Sequence, residues 1–81
     1  MSLEAGDPEV IEKEGETRVI VHLGSVSKED INLYLNGDLL VMQIKGLGSR
    51  TIKLKNRDYD TSNARASFKN GVLEVRLPIR G

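Results

Sequence analysis

The sequence predicts an all-β fold, a small antiparallel β-sandwich, on three observations. Apolar residues recur with a period of two almost wherever a period can be read, and β-branched residues and leucine supply most of them. Two Asn-Gly pairs, Asn36-Gly37 and Asn70-Gly71, each stand between alternating segments. A type I′ turn needs positive φ at both central residues, and Asn-Gly meets that need. No segment reads as a helix beyond the brief turn Ser27-Lys28-Glu29-Asp30, and strands of about five to seven residues at this spacing suit a sandwich.

Taken in order, the chain begins with a short apolar pair, Val10-Ile11, and then a clear strand over residues 17–23. There Val19, Val21 and Leu23 share one face, and Arg18, Ile20 and His22 the other. A two-residue loop at Asn36-Gly37 pairs Leu35 with Asp38, Leu33 with Leu40 and Ile31 with Met42. The opposite face of that hairpin, with Asn32 and Tyr34 against Val41 and Leu39, is mixed. Residues 45–49 form a Gly-containing connection to a strand over residues 50–54, whose Ile52 and Leu54 alternate with Thr51 and Lys53. Residues 56–63 are polar and turn-like. The loop at Asn70-Gly71 then pairs Phe68 with Leu73, Ala66 with Val75 and Ala64 with Leu77, leaving Arg65, Ser67, Lys69, Glu74 and Arg76 on the far face. A slip of one residue would turn those charges inward, so burial specifies the register.

With 81 residues the chain is a single domain, and one this small buries only about 60% of the surface its unfolded form exposes. Twelve basic residues balance twelve acidic ones. No net field gathers phosphate backbones, so nucleic acid is not an expected partner. The absence of cysteine excludes disulfides, thiolate metal sites and cysteine nucleophiles. No signal-like leader and no run of about 20 apolar residues occurs, which points to a cytoplasmic protein with no membrane partner.

Candidate chemistry is sparse. His22 is the sole imidazole, too little for a histidine zinc site or a Ser-His-Asp triad unless it is enlisted alone. Asp58-Tyr59-Asp60-Thr61-Ser62 starts like a calcium loop, but Asn63 stands where the turn needs glycine and Lys69 where a bidentate glutamate is needed. Gly46-Leu47-Gly48-Ser49 is followed by a strand, whereas phosphate-cradling loops deliver to a helix N-terminus. Most carboxylates lie where the alternation points to solvent, and nothing suggests a cleft to desolvate them. Three aromatics, Tyr34, Tyr59 and Phe68, make no stacking platform for single strands. No catalytic, cofactor or metal residues are expected, and the protein is not expected to be an enzyme.

The last hairpin, from Ala64 through Phe68, Asn70-Gly71-Val72-Leu73 and Val75 to Leu77-Pro78, resembles the signature of the alpha-crystallin (HSP20-like) domain of small heat shock proteins. Upstream, Leu23, Val26, Lys28-Glu29-Asp30-Ile31 and then Leu33, Leu35, Gly37, Leu39 and Leu40 are similar to the family's corresponding block. The resemblance covers residues 8–79, which leaves 1–7 as a flexible N-terminal segment and 80–81 as a C-terminal remnant. Gly24-Ser25 departs from the family's usual Pro-Gly, and Leu54-Lys55 from its usual Leu-Pro. Only residues 45–49 stand where many non-animal members carry a long loop with a strand that swaps into a dimer partner. The chain also stops at Ile79-Arg80-Gly81 without an Ile-x-Ile tail, as expected of an excised domain or a reduced relative. Its compactness further resembles the HSP20-like domain of ArsA/Get3-type ATPases and, more loosely, the CS domain of p23-type cochaperones.

The resemblance implies an immunoglobulin-like sandwich of about seven strands with no swap strand, whose relatives hold unfolding client proteins from aggregation without ATP. It implies a peptide- or partner-binding groove at Ile31, Leu33, Leu35, Ala64 and Ala66, and the mixed face of the first hairpin offers Tyr34 and Leu39 as a second contact face unless the Val10-Ile11 segment covers it. Core packing is the competing reading for the groove residues. The alternative function is an adaptor docking one defined partner, as in the ATPase and cochaperone relatives. An oligomer stays open, whereas a strand-swapped dimer is not expected.

Overall fold

Each of the two Asn-Gly reversals sits at the end of a sheet in the computed structural model, which describes residues 8–55 and 58–80. The expected flexible segment 1–7, Gly81, and Asn56 and Arg57 of the polar turn lie outside the described residues. Among the described residues there are seven strands: β1 (Glu9–Lys13), β2 (Glu16–His22), β3 (Ile31–Asn36), β4 (Leu39–Ile44), β5 (Gly48–Lys53), β6 (Arg65–Lys69) and β7 (Val72–Pro78). They form a four-stranded sheet in the order β1-β2-β7-β6 and a three-stranded sheet β3-β4-β5, every pair antiparallel. The sheets face each other across one core. Val19, Val21, Leu73, Val75 and Leu77 enter it from one side, and Leu40, Met42, Ile44 and Ile52 from the other.

The second hairpin has the register the sequence predicts, with Phe68 opposite Leu73 and Ala66 opposite Val75. Asn70 and Gly71 have φ of 53° and 79°, the positive pair that a type I′ turn requires. The first hairpin corrects the expectation. Leu35 faces Leu40, Leu33 faces Met42 and Ile31 faces Ile44, two residues away from the predicted pairing. The loop is Gly37-Asp38, with positive φ at Gly37 (63°) and not at Asn36. This arrangement puts the polar Asp38 at the tip instead of opposite Leu35. It also lets the Asp38 carbonyl accept the Leu54 N–H at 2.7 Å, tying the turn to the end of β5. A slip of two keeps every side chain on its own face, so the apolar alternation is unchanged.

Two further differences lie at the margins. Val10-Ile11 belongs to a full strand, paired with Val19 and Arg18 of β2. β5 begins at Gly48, which shortens the link from β4 to Lys45-Gly46-Leu47. That three-residue link leaves room for no additional strand.

The outer face of the larger sheet sets arginines side by side, since Arg76 stands opposite both Arg18 and Arg65. Like charges in such positions repel. Glu16 offsets them, 3.1 Å from Arg18 and 3.5 Å from Arg76, and Glu74 Oε2 lies 3.5 Å from Arg18 Nε. The hydrogen bond from Arg18, helped by the Arg76 charge, holds the Glu16 carboxyl below its ordinary range against a smaller opposing effect of burial. A group depressed in the folded state adds stability above its unfolded pKa and loses it as pH falls through the lowered value. The Tm should therefore fall as the pH drops below about 4, and Glu16→Gln should flatten that acid limb while leaving its slope near neutrality unchanged. Equal acid limbs in the two proteins would show that the network does not couple to folding.

Candidate functional site

The two sheets close against each other in the core but part along one side, where β3 and β6 are both edge strands. Among the described residues no third strand covers their inward-facing side chains there. Ile31, Leu33 and Leu35 are each half-buried and pack on the core, as does Ala64, whereas Ala66 is exposed although its position points inward. The result is a groove with two adjoining sockets. The larger, about 210 Å³, has Leu33 and Leu35 on one wall, Ala64 and Ala66 on the other, and Leu40, Val75 and Leu77 beneath. The smaller, about 140 Å³, runs between Ile31 and Leu33 on one side and Ala66 and Phe68 on the other, over Leu73.

All five residues expected to line a groove thus lie along it, and Leu33 and Ala66 belong to both sockets. Phe68 is partly buried, packs against the core and forms a wall of the smaller socket. Tyr34 and Leu39 occupy the outer face of the smaller sheet, where the corrected register sets Tyr34 opposite Val41 and Leu39 opposite Asn36 and Lys53. Tyr34 is 50% exposed. β1, carrying Val10 and Ile11, stands at the far edge of the other sheet and does not shield it.

Other residues of interest resolve differently. His22 is exposed at the end of β2. Asp60 uses both carboxylate oxygens on its own turn, accepting from Ser62 Oγ and Asn63 Nδ2 at 2.7 Å each. Those bonds, the Ser62 hydroxyl foremost, lower its pKa. Among the described residues no group of three His, Cys, Asp or Glu side chains could hold a metal ion, and no helix is long and apolar enough to cross a membrane.

Tyr59 was missed by the sequence reading, which places it in a solvated turn. It is buried, and its hydroxyl lies 3.1 Å from the Oγ1 of the fully buried Thr17. Backbone bonds hold the flanks, from Asp60 N–H to the Pro78 carbonyl and from Arg80 N–H to the Asp58 carbonyl, both 2.8 Å. The turn that leads into Ala64 is thereby fixed to the end of β7, which positions one wall of the groove. A lone tyrosine among Asn, Asp and Ser was the only available signal.

The architecture is that of an all-β sandwich, and comparison with solved structures shows which one. Heat shock protein 16.0 from Schizosaccharomyces pombe superposes with a TM-score of 0.79 at 25% identity, over 91% of this chain and 66% of that one. A mutant of hsp14.1 from Sulfolobus solfataricus gives 0.78 at 23% identity over 99% and 75%. A small heat-shock protein from Xylella fastidiosa, which has a distinct high order structure, gives 0.76 at 18% identity over 93% and 85%. This chain spans just under two thirds of the fission-yeast protein's length. No protein-family model matches the sequence, and no curated protein does. In three dimensions the resemblance to small heat shock proteins extends over more than nine tenths of this chain in each of the three.

Proposed function

We propose that this domain acts as an ATP-independent holdase of the small-heat-shock-protein kind, a cytoplasmic module that carries out no catalysis and needs no cofactor. Its partners are partly unfolded proteins, not nucleic acid or membranes. The two adjoining sockets of the β3–β6 groove carry this reading. They follow one another along β3 by a single two-residue step, Ile31-Leu33 and then Leu33-Leu35. Such a step is about 6.6 Å in an extended chain, which suits alternate side chains of a docked strand. Burial of apolar surface at roughly 25 cal/mol per Å² drives the docking and favours breadth over tight selectivity.

Light scattering of a heat-stressed client should show aggregation suppressed by this chain. Suppression should be lost in Leu33→Glu, which places a charge in the wall common to both sockets. Ala66→Glu should act likewise, and because Ala66 is exposed on an edge strand, that variant keeps the sandwich folded. Full protection by a folded Ala66→Glu would rule the groove out as the client site.

The three-residue link between β4 and β5 favours a second reading, an adaptor that docks one defined partner, because the swapped-strand route to assembly has no strand to use. An adaptor would leave the client's scattering curve unchanged at any ratio of this chain to client, whereas the holdase suppresses it in proportion.

A further inference from the structure

Among the described residues four strands are sheet edges, β1 and β6 of the larger sheet and β3 and β5 of the smaller one. Each presents backbone N–H and C=O groups able to pair with another chain. Their charges differ. β3 has none, while the charged residues of β5 are Arg50 and Lys53 and those of β6 are Arg65 and Lys69, all cations. β1, Glu9-Val10-Ile11-Glu12-Lys13, carries both signs. Its register with β2 places Glu9, Ile11 and Lys13 on the outer face, in line with Ile20, Arg18 and Glu16. Glu9 and Lys13 are exposed and stand at equal distances along the strand from the half-buried Ile11. A second β1 laid antiparallel about Ile11 therefore sets Glu9 opposite Lys13 at both ends, and Ile11 opposite its own copy. Self-pairing of β6 about Ser67 would instead set Arg65 opposite Lys69.

We propose that β1 is the edge at which a second copy of this chain docks, in a two-fold pair that joins the two larger sheets into one. A two-fold interface must complement itself, and among the described edges β1 is the one whose opposite charges do so. Opposite charges directly across a ladder attract and like charges repel. Inside its own chain Lys13 faces Glu16, but that carboxylate is engaged by Arg18 and Arg76. Val10 shares the face of the buried Val19 and is nevertheless 38% exposed, because it lies at the open margin of the sheet. In the pair it is covered by Glu12 of the second copy, whose carboxylate keeps its own Lys55 at 3.7 Å. Pro8, just before β1, has no N–H to donate, so the new ladder ends with the strand's five residues. So small an interface makes a weak, reversible dimer. β6 stands at the opposite edge of the sheet, which leaves the β3–β6 groove open in both copies.

Sedimentation equilibrium of the full chain should show the average mass rising with concentration from 9.0 kDa toward twice that value. Lys13→Glu and Glu9→Lys should each weaken self-association by about tenfold at low salt, since both symmetric attractions become repulsions. An equimolar mixture of these two variants should associate again, because the acids of one then face the lysines of the other, a recovery that misfolded proteins cannot give. Placement is read by cross-linking, as the chain has no cysteine of its own. Residues directly opposite in an antiparallel pair have Cα atoms about 4.5–5.5 Å apart, within disulfide reach. Mild oxidation should therefore link Ile11→Cys into a dimer and leave Thr51→Cys and Ser67→Cys, at the middles of β5 and β6, as monomers. A mass fixed at 9.0 kDa up to millimolar concentration would overturn the proposal. So would a mixture of the charge variants that associates no better than either alone, or a Thr51→Cys or Ser67→Cys chain that links as readily as Ile11→Cys.

Discussion

Replacing Tyr59 with alanine should destabilise the domain by about 3–5 kcal/mol, the usual cost of deleting a buried aromatic ring. For a protein of this size that is a large part of a total of about 5–15 kcal/mol, and chemical denaturation will read it directly. The ring fills space beneath the end of β7, and its hydroxyl is the hydrogen-bond partner of Thr17 Oγ1 in the core. Two milder changes separate these parts. Tyr59→Phe keeps the ring and strands the threonine hydroxyl, which should cost about 1–3 kcal/mol. Thr17→Val added to Tyr59→Phe removes the stranded group and should recover part of that loss. A double variant whose losses merely add would mean that the hydroxyls do not interact.

Gly71→Ala is expected to cost about 2–4 kcal/mol, combining an unfavourable backbone region with overpacking. Gly71 has a φ of 79°, and a Cβ built there would lie 3.1 Å from the Gly24 carbonyl oxygen and 3.2 Å from the Gly24 Cα. Neither atom can yield easily, because the Gly71 carbonyl accepts N–H bonds from Leu23 at 2.7 Å and Gly24 at 3.1 Å, which fasten the hairpin tip to the chain leaving β2. Gly37→Ala is the control. Gly37 also has positive φ, 63°, but among the described residues nothing lies within 4 Å of its added Cβ. It should therefore lose only the backbone part, about 1–2 kcal/mol. Equal losses at the two glycines would show that the contact with Gly24 carries no cost.

The two hairpins show what the sequence can and cannot specify. Around Asn70-Gly71 the predicted register holds for Phe68 with Leu73 and Ala66 with Val75, because Asn70 takes the positive φ that the turn asks of it, while β6 starts at Arg65 and leaves Ala64 outside the ladder with Leu77. Around Asn36-Gly37 the same dipeptide gives a loop displaced by one residue and a register displaced by two. Period-two alternation excludes only odd slips. What selects among even ones is the contact of β4 with β5 and the place of Asp38 in the turn, and these are tertiary facts. The groove was legible for a related reason. Alternation assigns Ile31, Leu33, Leu35, Ala64 and Ala66 to inward faces, and the resemblance brings their strands to one side. That Ala66 points inward and is still exposed needs the two sheets to part between β3 and β6, which no local pattern encodes. β1 escaped notice because Val10 and Ile11 lie on a strand whose other residues are charged, a composition common in edge strands.

The short passage through Lys45-Gly46-Leu47 bears on how the molecule comes into being. All seven strands find their ladder neighbours inside one polypeptide, so acquiring the native state requires no encounter between molecules. For these described strands the rate should be first order and indifferent to dilution, and the β4–β5 link supplies no strand to exchange in any higher assembly.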